Sequence, residues 1–152
     1  MDIRLATVGD IDELIRVRQD FNDELHPRPD DLHAELADQL RTYLPERIAS
    51  DQFAAVLGYV DGTLASAAFL LVIEYPANCP IPHGRVGLLL NVYTYPQYRR
   101  RGLGGQVVAA AIDRARELGL DAIDLEATDL GRGLYAQMGF EVRENTPMRL
   151  VL

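Results

Sequence analysis

The chain predicts an α/β fold: a mixed, mostly antiparallel central sheet with helices on both faces, in the order β-α-α-β-β-β-α-β-α-β-β. Three observations predict it. An apolar run from Arg85 to Tyr95 leads through a glycine-rich turn into a helical pattern and then a second apolar run. That is a strand–helix–strand unit, whose crossover is right-handed and whose strands are parallel. Asp61-Gly62 stands between two other apolar runs, a strong signal of a tight hairpin. Two helical patterns precede that hairpin, so helices and sheet must share a layered core.

The elements follow in order. Residues 2–6 (DIRLA) alternate as a short strand does. Thr7 can cap a helix, with Asp10 three positions on as a weaker form of the capping box. Ile11, Leu14, Ile15, Phe21 and Leu25 lie near one face of that helix. His26-Pro27-Arg28-Pro29 ends it, because proline lacks an N–H and pushes its predecessor out of helical geometry. Leu32, Leu36, Leu40 and Leu44, at spacing four, mark a second helix; one short run of this kind is core packing rather than a zipper. Phe53 to Tyr59 and Thr63 to Tyr75 are the hairpin strands. Pro76 to His83 carries three prolines and must be a loop. Arg85 to Tyr95 is a central strand, and Gly102 to Gly119 its helix. Asp121 to Ala127 is a strand, Leu130 to Met138 a short helix, and Gly139 its stop. Phe140 to Val142 and Met148 to Leu152 read as two final strands. No repeat or long linker divides the chain, so residues 1–152 are expected to form one domain.

Composition bounds the function. With 152 residues, 48% hydrophobic and 25% charged, the chain resembles an ordinary soluble domain able to bury a core. Cys79 is the single cysteine, which excludes an internal disulfide and suits a reducing compartment. Met1-Asp2-Ile3-Arg4 has no basic segment leading into an apolar one, and no apolar run approaches the ~20 residues of a membrane span. The expected location is cytoplasmic. A net charge of −8 argues against a broad nucleic-acid surface and weakly suits a cationic substrate. His26, His33 and His83 lack metal-ligand spacing, so no metal is expected. Cys79 has no identifiable base to make it a nucleophile.

Against this acidic background, Tyr98-Arg99-Arg100-Arg101-Gly102-Leu103-Gly104-Gly105 stands out. It puts an arginine-loaded glycine turn at the start of a helix, where backbone N–H groups are unpaired and the helix dipole is positive. Such a corner suits a phosphate-bearing ligand. It is not a dinucleotide fingerprint, since Val107 stands where the third glycine would be, and the Lys-Ser/Thr pair of the other phosphate loop is absent.

Arg99-x-x-Gly102-x-Gly104 resembles the coenzyme A pyrophosphate signature of the GCN5-related N-acetyltransferase family. Asn91-Val92-Tyr93-Thr94-Tyr95-Pro96-Gln97-Tyr98 looks like that family's strand and Pro-x-Tyr lead-in. Leu134-Tyr135-Ala136-Gln137-Met138-Gly139-Phe140 is similar to its Leu-Tyr-x-x-x-Gly-Phe segment, and the predicted element order matches over nearly the whole chain. The resemblance implies a small bacterial-type N-acetyltransferase with acetyl-CoA as cosubstrate and no metal. The acceptor it implies is a primary amine of a small molecule or peptide, attacking directly in a ternary complex. It implies that the backbone amides of residues from Arg100 to Gly105, Leu103 included, cradle the pyrophosphate, with Gly102 and Gly104 allowing close approach. Arg99, Arg100 and Arg101 would add charge-assisted bonds to the pyrophosphate or the adenosine 3′-phosphate.

The resemblance also implies a splayed strand edge for the pantetheine arm at Tyr93 and Thr94, extending to Val92. Tyr135 would be the general acid, since a phenol with pKa about 10 stays protonated beside a thiol titrating at about 8.5. Thr128 would be a cofactor contact where many relatives carry Asn, and it can also cap its helix; Gly131 stands where many carry Ala. Relatives often pair, which leaves room for a homodimer.

The general base is open. Many relatives use a Glu on the strand before the turn, and residues 85–91 carry none. Asn91 can orient a water but cannot accept a proton. Glu126 and Glu74 are the carboxylate candidates, with bulk water as a third route. The acceptor is expected between the first two helices and the loop from Pro76 to His83, where Asp23, Glu24, Asp30 and Asp31 would favour an amine. A catalytically silent acyl-CoA-binding sensor or interaction module is the competing reading, supported by the missing strand carboxylate and the changed Asn position.

Overall fold

The structure is a computed structural model that describes residues 1–26, 30–144 and 147–151, with the backbone alone at 30 and 31. The proline break expected at 27–29, the side chains of Asp30 and Asp31, and the final Leu152 lie outside the described residues. The elements are β1 (Asp2–Leu5), α1 (Ile11–Leu25), α2 (Asp30–Ala49), β2 (Phe53–Val60), β3 (Thr63–Glu74), β4 (Arg85–Thr94), α3 (Leu103–Glu117), β5 (Ala122–Leu125) and α4 (Asp129–Gln137), with 3-10 turns at Val8–Asp10 and Pro96–Tyr98.

One five-stranded sheet runs β1-β2-β3-β4-β5. The first three pairings are antiparallel and β4–β5 is parallel, as the strand–helix–strand unit predicts. Alternation along the central strands makes two apolar layers. Phe53, Ala55 and Leu57 pack with Leu14, Val17 and Leu44 of α1 and α2 on one face. Val56, Ala68 and Leu89 pack with Val107, Val108 and Ala111 of α3 on the other. Of the leucines spaced by four in α2, Leu44 is buried, while Leu32, Leu36 and Leu40 are only half-buried. Leu44 belongs to the core and Leu40 packs against it, as read.

Local chemistry explains the joints. Asp61 and Gly62 both have positive φ, 50° and 74°, the requirement of a type I′ hairpin, and Val60 pairs with Thr63 across it. The Thr7 side chain accepts from the Gly9 N–H at 3.3 Å, and Asp10 returns the favour to the Thr7 N–H at 2.7 Å, which completes the capping box. Arg4 holds the same carboxylate through two bonds of 2.7 and 2.8 Å. At the far end of β4, Asp121 accepts from the N–H groups of His83 and Arg85 at 2.9 and 3.2 Å and pairs with His83 Nδ1 at 2.6 Å. One carboxylate thus stitches the proline-rich loop to the start of both parallel strands.

The two final strands are not formed: among the described residues, 140–144 and 147–151 carry no strand. Val142, Met148, Leu150 and Val151 are 85%, 94%, 82% and 84% exposed. A strand needs a ladder partner and a buried face; among the described residues these short apolar runs have no ladder partner, and only Phe140 is partly buried; Pro147 also removes a donor. The sheet therefore ends at β5.

Thr7→Ala should cost about 1 kcal/mol of stability through the lost cap, read as a lower urea midpoint with an unchanged slope.

Candidate active site

β4 is paired on both sides only over its first half. Its parallel pairing with β5 ends at Leu89 and Leu125, yet the strand continues to Thr94. Residues 90–94 thus present an open edge toward the side that β5 has left. A bulge accompanies the divergence: β3 advances from Ala67 to Phe69 while β4 advances from Leu90 to Tyr93. The extra residue centres on Asn91, which is left-handed at φ 54°. The bulge re-aims the strand. Leu90, Tyr93 and Tyr95 pack on the α1 side, and Val92 packs on the α3 side. Because Tyr95 donates its N–H to Ala65, alternation turns the N–H groups of Thr94 and Val92 to the open edge.

The turn expected to hold a phosphate lies at the mouth of this wedge. α3 begins after Gly102, whose φ of 73° is cheap only for glycine, and Arg100 is left-handed as well at 62°. Gly102 gives no side-chain cap, so the N–H groups of Leu103, Gly104 and Gly105 are the orphan donors of the first helical turn. A methyl at Gly104 would sit 3.4 Å from Thr94 Oγ1 and one at Gly105 3.3 Å from Leu134, so the bare backbone lets the turn close on β4 and α4. Thr94 is itself fixed by Ser66, whose Oγ lies 2.8 Å from the threonine hydroxyl. Arg100 and Arg101 have no carboxylate partner among the described residues, and Arg101 stacks on Tyr98 at 5.7 Å. Free donors, an unopposed positive dipole end and two unpaired guanidinium groups form a corner that fits a diphosphate.

Arg99 differs from its neighbours. Its guanidinium grips both Glu24 carboxylate oxygens at 2.8 and 2.6 Å and the Thr94 carbonyl at 2.8 Å, and it lies over the Tyr93 ring. Tyr93 donates its hydroxyl to Glu24 at 3.2 Å, and Tyr95 donates to Asp20 at 2.8 Å. Burial pushes both phenols up. Sequence reading missed this set because nothing local links Glu24 or Asp20 to a strand some seventy residues later.

Tyr135 sits on the opposite, α3 side of the sheet. Gly139 ends α4 and swings Phe140 back, so the Phe140 N–H bonds the Tyr135 carbonyl and the rings meet edge-on at 5.8 Å. That is the physical content of the Leu-Tyr-x-x-x-Gly-Phe spacing. Burial raises the Tyr135 phenol above its usual value. Gly131 matters here: a methyl there would stand 3.0 Å from the ring edge. Thr128 caps α4 by accepting from the Gly131 N–H at 3.3 Å.

The remaining candidates separate. Glu126 is exposed and shares with Tyr135 a cleft of ≈ 720 Å³ between β5, α4 and the C-terminal segment. Glu74 pairs in register with Arg85 at the start of β4, nine residues from Thr94 and so about 30 Å away; it is no base for this site. The loop from Pro76 to His83 joins the same far end, tied to Asp121, and does not border the wedge as expected. Asn91 is 3% exposed. Its Oδ1 accepts from Arg18 at 3.4 Å, while its Nδ2 is buried without a partner.

The site is thus a parallel pair that splits at mid-strand beside an uncapped glycine-rich helix start, on a mixed α/β sheet. The chain belongs to the acetyltransferase (GNAT) family, whose model matches residues 14–140. The fold is similar to that of a predicted acetyltransferase solved with acetyl-CoA from Clostridium acetobutylicum, 23% identical, with TM-score 0.84 over 98% of this chain and 95% of that one. It is also similar to a GCN5-related N-acetyltransferase from Ralstonia eutropha JMP134, 27% identical, with TM-score 0.83 over 98% and 97%. A glucosamine-6-phosphate N-acetyltransferase from Arabidopsis thaliana, 14% identical, overlays at TM-score 0.74 over 98% and 97%. No curated protein matches the chain. Among the described residues no helix is long and apolar enough to cross a membrane.

Gly102→Ala should weaken coenzyme A binding roughly ten-fold, the equivalent of a left-handed alanine, in calorimetric titration. Gly131→Ala should displace the Tyr135 ring and lower turnover with little change in that affinity.

Proposed function

We propose that the protein is a single-domain N-acetyltransferase, which moves an acetyl group from acetyl-CoA to a primary amine by direct attack, with both substrates in one cleft. The single observation that carries this reading is the wedge between β4 and β5, opening at Leu89 and Leu125 onto the uncapped start of α3. The donors from Leu103 to Gly105, with Arg100 and Arg101, would hold the pyrophosphate. The open edge of Val92 and Thr94 would hold the amide-bearing arm, which supplies the activated acetyl group.

Most of the rate would come from holding the reactants together, a contribution of about 7–11 kcal/mol. Backbone N–H groups of the open edge would polarise the carbonyl. Tyr135 would donate its proton to the departing sulfur, worth about 10²–10⁴-fold. The acceptor would approach from the α1 side, where Phe21, Tyr93 and Tyr95 gather with Asp20 and Glu24. Aromatic rings and carboxylates suit an ammonium, on a small molecule or a peptide. The single cysteine suits a cytoplasmic setting.

The silent acyl-CoA-binding module is the second reading, favoured by the absence of a carboxylate on β4 after Arg85. Release of free thiol from acetyl-CoA with a panel of amines decides: acceleration by at least one amine is expected, and binding of acetyl-CoA without thiol release for any amine would favour the module.

Two further outcomes are expected. Tyr135→Phe should lower kcat about 10²-fold or more while coenzyme A affinity moves little, and unchanged turnover would remove Tyr135 from the chemistry. Because burial raises the Tyr135 phenol, the acid stays protonated to higher pH than a free tyrosine. The rate of the native protein should therefore not fall until pH exceeds about 10, and that alkaline fall should be missing in Tyr135→Phe.

A further inference from the structure

Arg99 occupies a phosphate-ligand position in the sequence pattern, yet its guanidinium is held by a carboxylate from another layer of the fold. That carboxylate, Glu24, also receives the Tyr93 hydroxyl, and Tyr93 belongs to the open segment of β4. Glu24 is thus tied through one cation to the turn and through one phenol to the wedge. The pair is solvent-accessible, with side chains 41% and 44% exposed, and ion pairs of that exposure shift equilibria by about five-fold or less. A diphosphate carries more charge and takes bidentate arginine contacts at least as well. A phosphate arriving at the turn therefore competes with Glu24 on favourable terms.

We propose that Arg99 is a transferable cation: it masks Glu24 while the turn is unliganded, passes to the pyrophosphate when acetyl-CoA docks, and so frees the Glu24 carboxylate to take the proton of the incoming ammonium. The proposal rests on the reading of the turn as the coenzyme A site. It supplies the base that β4 lacks and makes its availability conditional on the cosubstrate.

The electrostatics have the right sign. Arg99 is the main influence holding the Glu24 carboxyl below its usual value, and burial opposes it more strongly than the Tyr93 hydroxyl assists it. Removal of the guanidinium leaves burial as the larger of the two remaining influences, so the carboxyl rises from its held-down value and takes a proton more readily. The groups acting on it are Arg99 and Tyr93; the other charges at this end of α1 are Asp23, bonded to His33 of α2 at 2.9 Å, and Asp20, which accepts from Tyr95, itself influenced by Arg16. Tyr135 packs on the other face of the sheet, so proton removal from nitrogen and proton delivery to sulfur fall on opposite sides of the wedge.

The step balances. The ammonium gives one proton to Glu24; the amine lone pair forms the N–C bond; the C–S bond breaks with its pair on sulfur. Tyr135 protonates the sulfur and regains a proton from water, while the second nitrogen proton and the one held by Glu24 pass to water, so that one proton is released overall.

Calorimetric titration with coenzyme A at about pH 5, near the carboxylate range, in buffers of different ionisation enthalpy, tests the exchange without turnover. The native protein should take up more protons on binding than Glu24→Gln, and Glu24→Gln should bind about two- to five-fold tighter, the loss of one exposed competing pair. Arg99→Gln should bind more weakly and show no extra proton uptake. In amine acetylation, kcat of Glu24→Gln should fall about 10²-fold and lose the acidic limb of its pH profile, with part of both restored by Glu24→Asp. Equal proton uptake by the native protein and Glu24→Gln, or weaker binding by a Glu24→Gln variant with native circular dichroism, overturns the exchange. Tighter binding with unchanged kcat overturns the role as base. Failure of the native protein to bind coenzyme A at all would instead remove the reading of the turn.

Discussion

The site depends on the early parting of two strands. β4 and β5 share hydrogen bonds over four residues each, from Val86 with Ala122 to Leu89 with Leu125, and then β4 goes on alone. An unpaired strand edge is normally a liability. Here the edge is short, lies between two packed layers, and ends in a turn that points three more free donors at the same space. The bulge at Asn91 makes the parting possible by placing two consecutive residues, Leu90 and Asn91, on the α1 side before alternation resumes. The cost is concentrated on that residue, in a left-handed backbone and a buried amide donor without a partner, as expected of strain held at a working site.

The two faces of the wedge have different chemistry because the layers that cover them differ. On the α3 side the covering is aliphatic and aromatic, with Val107, Val108, Ala111 and Phe140 around Tyr135. A lone phenol in such surroundings keeps its proton. On the α1 side the covering is a helix whose last turns carry Asp20, Asp23 and Glu24, each answered by a tyrosine, histidine or arginine. In the proposed reaction, sulfur and nitrogen would thus meet environments suited to opposite proton traffic.

Much of this was legible in the sequence, for reasons that are local. The hairpin at Asp61-Gly62, the Thr7 cap, the glycine turn and the Gly139 stop each follow from a few adjacent residues. Layer assignment followed from periodicity. Failures came where partners are distant or missing. The final strands were read from short apolar runs, and no neighbouring ladder takes them up. Glu74 looked like a base only until register put it at the other end of the strand. Arg99 carried the right charge for phosphate, but its resting partner, Glu24, stands seventy-five residues earlier. The bulge at Asn91 has no composition signal, since it is a matter of count between two strands rather than of either alone.

The two ends of the parallel pair are built oppositely. At one end Asp121 pins the loop, β4 and β5 together through a single carboxylate; at the other, among the described residues, no ladder bond joins the strands beyond Leu89 and Leu125. Such a pair behaves as tweezers, with a fixed joint and free tips. Displacement grows with distance from a pivot, so a slight tilt of β5 about its stitched start becomes its widest excursion at the mouth, where the reacting atoms would lie.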